Sequence, residues 1–384
     1  MNEITVIGGG IVGLATALAL AKSNFSVTLV MGDQPESVAS DYISPQVCAI
    51  NQTSQRLLRR LGVWDDCQAN PFSLMALSAQ PNAQRFSFDA STVGQDNLGY
   101  IVSNDRLRWL LFRQVQHAPN LTVIMHAKAQ ALSKRDRSWV IETDRGDRVY
   151  SHVVIGADGR QSWVAKQRHW KKESIDYQQT AWVSLVTSQY GSPDAFQYFS
   201  ASGPVGLLPL GREKYWAMIM SLDNHIQQDN QDIDRLLKQY FGKQLGRLVS
   251  QDLVCFPLKG HHVDYYGQDG LFLVGDALHT IHQLAGQGMN LGLLDVAALV
   301  DVFTTVTDWQ SSQAVTQYHY WRKGHNDLMY RSVHRLMTYF QSVNPLVSLT
   351  RSIGLLGFDR CQQLKSLAIN VAMGYTGRQP SWVK

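Results

Sequence analysis

Residues 4–22 read ITVIGGGIVGLATALALAK, and their reading decides the fold. Ile4 to Ile7 is a short β-branched strand that runs straight into Gly8, Gly9 and Gly10, and Leu14 to Lys22 is an alanine-rich helical stretch. This is the pattern GxGxxG in the strand-to-helix setting that a dinucleotide site requires. Gly8 is expected to make the turn, Gly10 to let the backbone reach a pyrophosphate, and Gly13 to let the helix pack closely on the sheet. A structural turn that never meets a phosphate is the competing reading, and the flanking strand and helix weigh against it. An acidic residue usually follows at the tip of the second strand, to hold the ribose. That strand spans Ser26 to Val30 here, and its tip carries Met31. Asp33, two residues on, either reaches the ribose from the loop or is a solvated turn residue.

A second junction lies at Leu271–Leu293, LFLVGDALHTIHQLAGQGMNLGL. An apolar strand delivers Gly275 and Asp276 to a chain reversal, and a helix then opens on Gly286, Gln287 and Gly288. Such an entrance aims backbone N–H groups and the positive helix end at whatever sits there. The small residues around Gln287 admit a flat ligand, and the Asp276 carboxylate can accept hydrogen bonds from a polyol. A flavin has both parts. Between these elements, His152 to Ile155 forms a strand that ends in Gly156-Ala157-Asp158-Gly159, with a helix start near Ser162.

Three short motifs in order at wide separation form a specific constellation. With Leu61-Gly62-Val63-Trp64, Gly99-Tyr100-Ile101-Val102 and Phe256-Pro257-Leu258, the chain resembles the single-component flavoprotein aromatic hydroxylases that share the para-hydroxybenzoate hydroxylase fold. Within them it looks most like the ubiquinone-biosynthesis hydroxylases, over almost its full length. The resemblance implies FAD, its pyrophosphate on Gly8, Gly10 and Gly13, its ribityl chain on Asp276 beside Gly275, and its pyrimidine edge on backbone groups of Gly286, Gln287, Gly288, Met289 and Asn290. It associates Asp158 with FAD and pyridine-nucleotide use, and Asn104 with a polar cofactor contact. The implied reaction is hydroxylation of an electron-rich ring, a polyprenylated phenol of ubiquinone biosynthesis, through a flavin hydroperoxide. NAD(P)H or another donor reduces the FAD. With one fingerprint in the chain, a nicotinamide binds without a dinucleotide domain of its own, or the electrons come from elsewhere. No side chain is singled out as catalytic, because the cofactor carries the chemistry.

The chain departs from the family pattern at Met31, at Gln46, where an arginine often precedes a Val-Ser-Ala-Ile type strand, at Cys48 in place of that strand's serine, at Leu278 beside the Gly-Asp turn, and at Gln283, where a proline is usual. These changes keep two alternatives open: a weakly FAD-binding or non-catalytic member that scaffolds ubiquinone-biosynthesis enzymes, and another FAD oxidoreductase of the same fold. A halogenase should show a tryptophan motif in its early loop, and Gln34 to Ser44 has none.

The expected class is α/β: a Rossmann-like FAD-binding domain (1–70, 98–178 and 260–330), a mixed β-sheet substrate domain (71–97 and 179–259) and C-terminal helices (331–384). In the substrate domain one helix is expected around Ile233 to Leu248. The net charge of +4 over 384 residues gives no case for nucleic acid. Four cysteines without a CxxC pair suit a reducing, cytoplasmic setting, and the start carries no cationic secretory segment. His279 and His282 lack a third ligand at suitable spacing, so no metal is expected. Residues 318–384 carry nine basic residues against Asp327 and Asp359, with interleaved aromatics. Their helices either cap the FAD domain, the reading favoured for the first, or dock on an anionic membrane or a protein partner.

Overall fold

The computed structural model describes residues 2–39, 41–78, 86–200, 202–224, 229–282, 286–342, 344, 347, 350 and 357–384, so Gln283 lies outside the described residues. Strand β1 (Asn2–Ile7), helix α1 (Ile11–Lys22) and strand β2 (Val27–Val30) form the expected strand–helix–strand unit. β1 pairs in parallel with β2 on one side and with Arg148–Gly156 on the other. Leu271–Leu273 and Leu121–Ile124 extend the parallel core of an eight-stranded sheet. Parallel strands covered on both faces read as unbroken apolar runs, and all of Val27–Val30 is buried. α1 is buried almost all round because it lies between the sheet and the helix Gln287–Thr305. That second helix is the one described helix long and apolar enough to cross a membrane, and 72% of the apolar window is buried inside the protein.

The second eight-stranded sheet is largely antiparallel, with long neighbours Lys172–Ser188 and Leu248–Val263 toward one edge and Leu74–Ser78 and Phe86–Asp89 at the other. Helix Asn230–Leu245 covers its outer face through Ile233, Leu237, Phe241 and Leu245, spaced one helical turn apart. The helix starts three residues before the expected Ile233 because the Asp229 side chain caps the Asp232 N–H. It stops at Leu245 because Gly246 adopts φ +71, and Leu248 opens the next strand instead of closing the helix. Side-chain alternation splits the strand Tyr215–Asp223: Trp216, Met218 and Met220 face the helix, whereas Ile219 and Ser221 face a cavity.

A three-stranded sheet of Val47–Ile50, Gly99–Ser103 and Asn70–Phe72 forms a further small layer. The long strands run through positions 178 and 260, and helix Ser312–Gln341 runs through position 330. The two units therefore share continuous elements. The long helix packs Tyr318 into the first core and Val333, Met337 and Phe340 against the second sheet.

Candidate active site

The three motif turns meet around Val12. A Cβ on Gly275 or on Gly292 would lie 2.9 Å from a Val12 methyl. Gly8 has φ +125, and a Cβ there would lie 2.2 Å from the Ala157 carbonyl oxygen. The fingerprint turn thus sits directly on the Gly-Ala-Asp-Gly turn. Gly13 is equally committed, since its Cβ would lie 2.0 Å from the Gly8 oxygen. Gly10, by contrast, has open space where a Cβ would be and lines a cavity of about 790 Å³.

The same cavity is lined by Ala157, Gly159, Asn104, Asp276 and the run Gly286 to Asn290. Asp276 has accessible surface, and it opens onto this cavity. It lies so deep that burial raises its carboxyl above the ordinary range, against the pull of His279 and Arg160. No hydrogen bond from the described residues reaches that carboxylate. The Asn104 Oδ1 is likewise buried without a partner.

Not every expected site residue lines the cavity. Asp33 is exposed, and its backbone oxygen accepts from Arg108 at 2.9 Å. Asp33 does not line the cavity, and its carboxylate stays in the exposed loop after β2. Met31 is 1% exposed and packs against Gly9 rather than offering a polar tip. Asp158 does not reach the cavity. Its Oδ2 accepts from the N–H groups of Trp163 and Val164, at 2.7 and 3.1 Å, and so caps the short helix Trp163–Gln167. Asn290 lines the cavity, but its side chain ties the Gly286 helix entrance to the neighbouring strand, with Nδ2 donating to the Ala49 oxygen at 2.8 Å and Oδ1 accepting from Asn51 N–H at 3.0 Å.

Several residues that sequence motifs do not mark hold these parts in place. Arg108 donates to the Gly9 oxygen at 2.8 Å and so clamps the glycine loop to the loop after β2. Behind the Gly-Asp turn lies Asp295, 0% exposed. Its carboxylate accepts from Gly275 N–H (3.2 Å), Arg322 Nε (2.8 Å) and Asn326 Nδ2 (3.1 Å), and lies 2.6 Å from His279 Nε2. Burial opposes its charge, but His279 and Arg322 outweigh this and hold the carboxyl well below the usual range. His279 is thus engaged with Asp295, while the His282 Nε2 faces Gln179 Oε1 at 3.2 Å. The end of helix Gln362–Ala372 closes over the site: the Ala372 oxygen accepts from Gln287 and from Asn51, both at 3.3 Å. Only contact across more than 300 residues brings Ala372 to Asn51, so no local pattern announces it.

Beyond the glycine-lined half, the cavity continues into a chamber on the inner face of the second sheet, walled by Phe199, Leu208, Ile219, Phe256 and Leu258. Val333 and Leu336 of the long helix, and Ala368 and Ile369 of the C-terminal helix, complete it.

A family described as an FAD binding domain matches residues 1–332. The chain belongs to this family. It is 32% identical to the 3-demethoxyubiquinol 3-hydroxylase of Escherichia coli K12, over 97% of this chain and 98% of that protein. It is 29% identical to ubiquinone hydroxylase UbiL of Rhodospirillum rubrum, over 97% and 89%. The p-nitrophenol 4-monooxygenase PnpA of Pseudomonas putida DLL-E4 has the same fold, with a TM-score of 0.81 at 18% identity over 99% of both chains.

The residues present fit FAD. The open face at Gly10 suits a pyrophosphate, and the unpartnered Asp276 carboxylate suits the hydroxyls of a ribityl chain. The Asn104 Oδ1 offers an acceptor, and the Gly286 helix entrance offers N–H donors to a planar edge.

Proposed function

We propose that this FAD-dependent monooxygenase hydroxylates the aromatic ring of a polyprenylated phenol in ubiquinone biosynthesis, with electrons from NAD(P)H. The observation that carries this reading is continuity: the glycine-lined half of the cavity opens into the apolar chamber within one enclosure. Bound FAD supplies dioxygen activation and transfer of one oxygen atom to the ring. The protein positions and shelters. Gly8, Gly10 and Gly13 make room for the pyrophosphate, Asp276 accepts from the ribityl hydroxyls, and the backbone from Gly286 to Asn290 faces the ring edge. The chamber keeps water from the reacting ring and gives an isoprenoid tail an apolar lining.

The same geometry supports a membrane contact as part of this reading. Leu336 both lines the cavity and is 42% exposed, and Leu364 and Leu367 are exposed on the helix whose Ala368 and Ile369 face inward. Arg331, Arg335 and Arg360 flank them in sequence, a composition suited to peripheral docking on an anionic cytoplasmic leaflet, where other ubiquinone-biosynthesis proteins would meet it. The deciding experiment is a flavin spectrum of the purified protein, followed by quinone analysis of a deletion strain. Yellow protein and an accumulated under-hydroxylated precursor are expected. A colourless protein that takes up no added FAD points to the scaffold reading instead.

A further inference from the structure

Few polar side chains face the otherwise apolar chamber, and two of them stand together. Tyr177 and His282 line the cavity where strand Lys172–Ser188 meets the stretch after the Gly-Asp turn. The Tyr177 ring packs edge-on against His282, with centroids 4.8 Å apart. Its hydroxyl is buried beside the backbone N–H of His282, and its proton has no acceptor among the described residues. Gln179, two residues along the same strand, donates from Nε2 to the Ser202 oxygen at 3.1 Å and to Asp223 Oδ1 at 3.4 Å. A carbonyl and a carboxylate only accept, so the amide is oriented with Oε1 toward His282, and His282 Nε2 carries the proton. Burial pushes His282 down to about 4 and the Tyr177 hydroxyl up to about 12, so both groups are neutral near pH 7.

We propose that the Tyr177 hydroxyl is the hydrogen-bond partner of a ring hydroxyl on the substrate, with His282 and Gln179 as positioning residues that fix the Tyr177 ring. The inference rests on the function proposed above and names the group that recognises the ring. A phenol that enters the chamber gives up its hydrogen bonds to water, and a buried hydroxyl needs a replacement. Tyr177 offers one where the chamber adjoins the helix entrance: Ile281, the neighbour of His282, lies 3.8 Å from the Cβ position of Gly288. A ring anchored there stays at the cofactor end, and its tail runs toward Phe199, Val333 and Leu336.

The test titrates FAD-loaded protein with 2-geranylphenol and with geranylbenzene, which lacks the hydroxyl, reading the perturbation of flavin absorbance. Wild type is expected to prefer the phenol roughly tenfold, the scale of one buried hydrogen bond. Tyr177→Phe is expected to abolish that preference while geranylbenzene and FAD bind as before. His282→Asn and Gln179→Leu are expected to reduce the preference in part, again with FAD binding intact. A Tyr177→Phe protein that keeps the preference, or that weakens both probes equally, overturns the assignment to Tyr177. Wild-type discrimination in both other variants removes the positioning roles. Wild-type protein that takes up FAD without preferring the phenol sinks this inference alone; protein that takes up no FAD sinks the proposed function with it.

Discussion

The two halves of the cavity are built by opposite means. The cofactor half is shaped by backbone: Gly8, Gly13, Gly275 and Gly286 bring segments within contact of one another, Gly10 leaves open space, and a Cβ at Gly13 would overlap the Gly8 oxygen. The chamber half is shaped by side chains from Phe199, Leu208, Ile219, Leu258 and Val333, which share no segment. A backbone-built site tolerates almost no change in residue type, because only glycine omits the Cβ. A site built from side chains tolerates many hydrophobic exchanges and changes its selectivity instead.

The sharpest way to break this contrast is to remove the support behind the cofactor half. Asp295→Ala leaves Arg322 buried, 4% exposed, without its carboxylate, and should destabilise the protein by about 3–5 kcal/mol in chemical denaturation. A loss below about 1 kcal/mol would show that the buried pair does not brace the turn. Gly13→Ala comes next: overpacking should lower stability by about 1–3 kcal/mol and prevent FAD retention, read from the absorbance of the purified protein. Normal flavin content would show that the fingerprint turn can relax.

Filling the chamber should separate the halves. Leu208→Trp is expected to raise KM for a long-chain substrate tenfold or more, while the flavin spectrum and FAD affinity stay unchanged. Parallel loss of FAD would mean that the two halves are one mechanical unit.

Acid should weaken both halves together. His261 is pushed down to about 3, and His282 and His325 to about 4, chiefly by burial. The unfolded chain takes up these protons near pH 6.5, and the folded chain only well below. Their contribution to stability is therefore fully present above about pH 6.5 and falls as pH drops toward 4, by at most about 1.4 kcal/mol per pH unit for each histidine. Denaturation midpoints at pH 7, 6 and 5 measure this slope, and His325→Gln should flatten it. An unchanged slope in that variant would place the pH dependence elsewhere.

The smallest effect is expected from restoring the family residues. Met31→Glu and Gln283→Pro should tighten FAD a few-fold, with the buried setting of position 31 opposing the new charge. Unchanged FAD affinity by titration would show that neither position weakens the site.

The same contrast explains what was legible in advance. The strand–glycine–helix unit and the second sheet under its helix follow from local patterns, and the structure contains both. Asp158 has a helix-capping role that its sequence did not reveal, because a carboxylate beside a nucleotide motif and a carboxylate that caps the next helix look the same in sequence; Oδ2 caps, and Oδ1 is buried without a partner among the described residues. Asp33 offers two readings for a like reason, and its exposed carboxylate is compatible with both. Arg108, Asp295, Tyr177 and Ala372 gave no signal, since each acts through partners remote in the chain.

By itself the sequence determined where the chain must bend tightly and omit side chains, and hence that it carries a dinucleotide fold with an FAD-type junction. Glycine spacing and strand or helix periodicity are short-range constraints, and they survive in one dimension. Only the tertiary structure decided that the turns converge on Val12, that Asp295 braces them through Arg322, and that the last helix closes over the cavity. Those arrangements arise from packing and burial between segments separated by 20 to 321 residues, and no local pattern of residues encodes which distant surface will meet which.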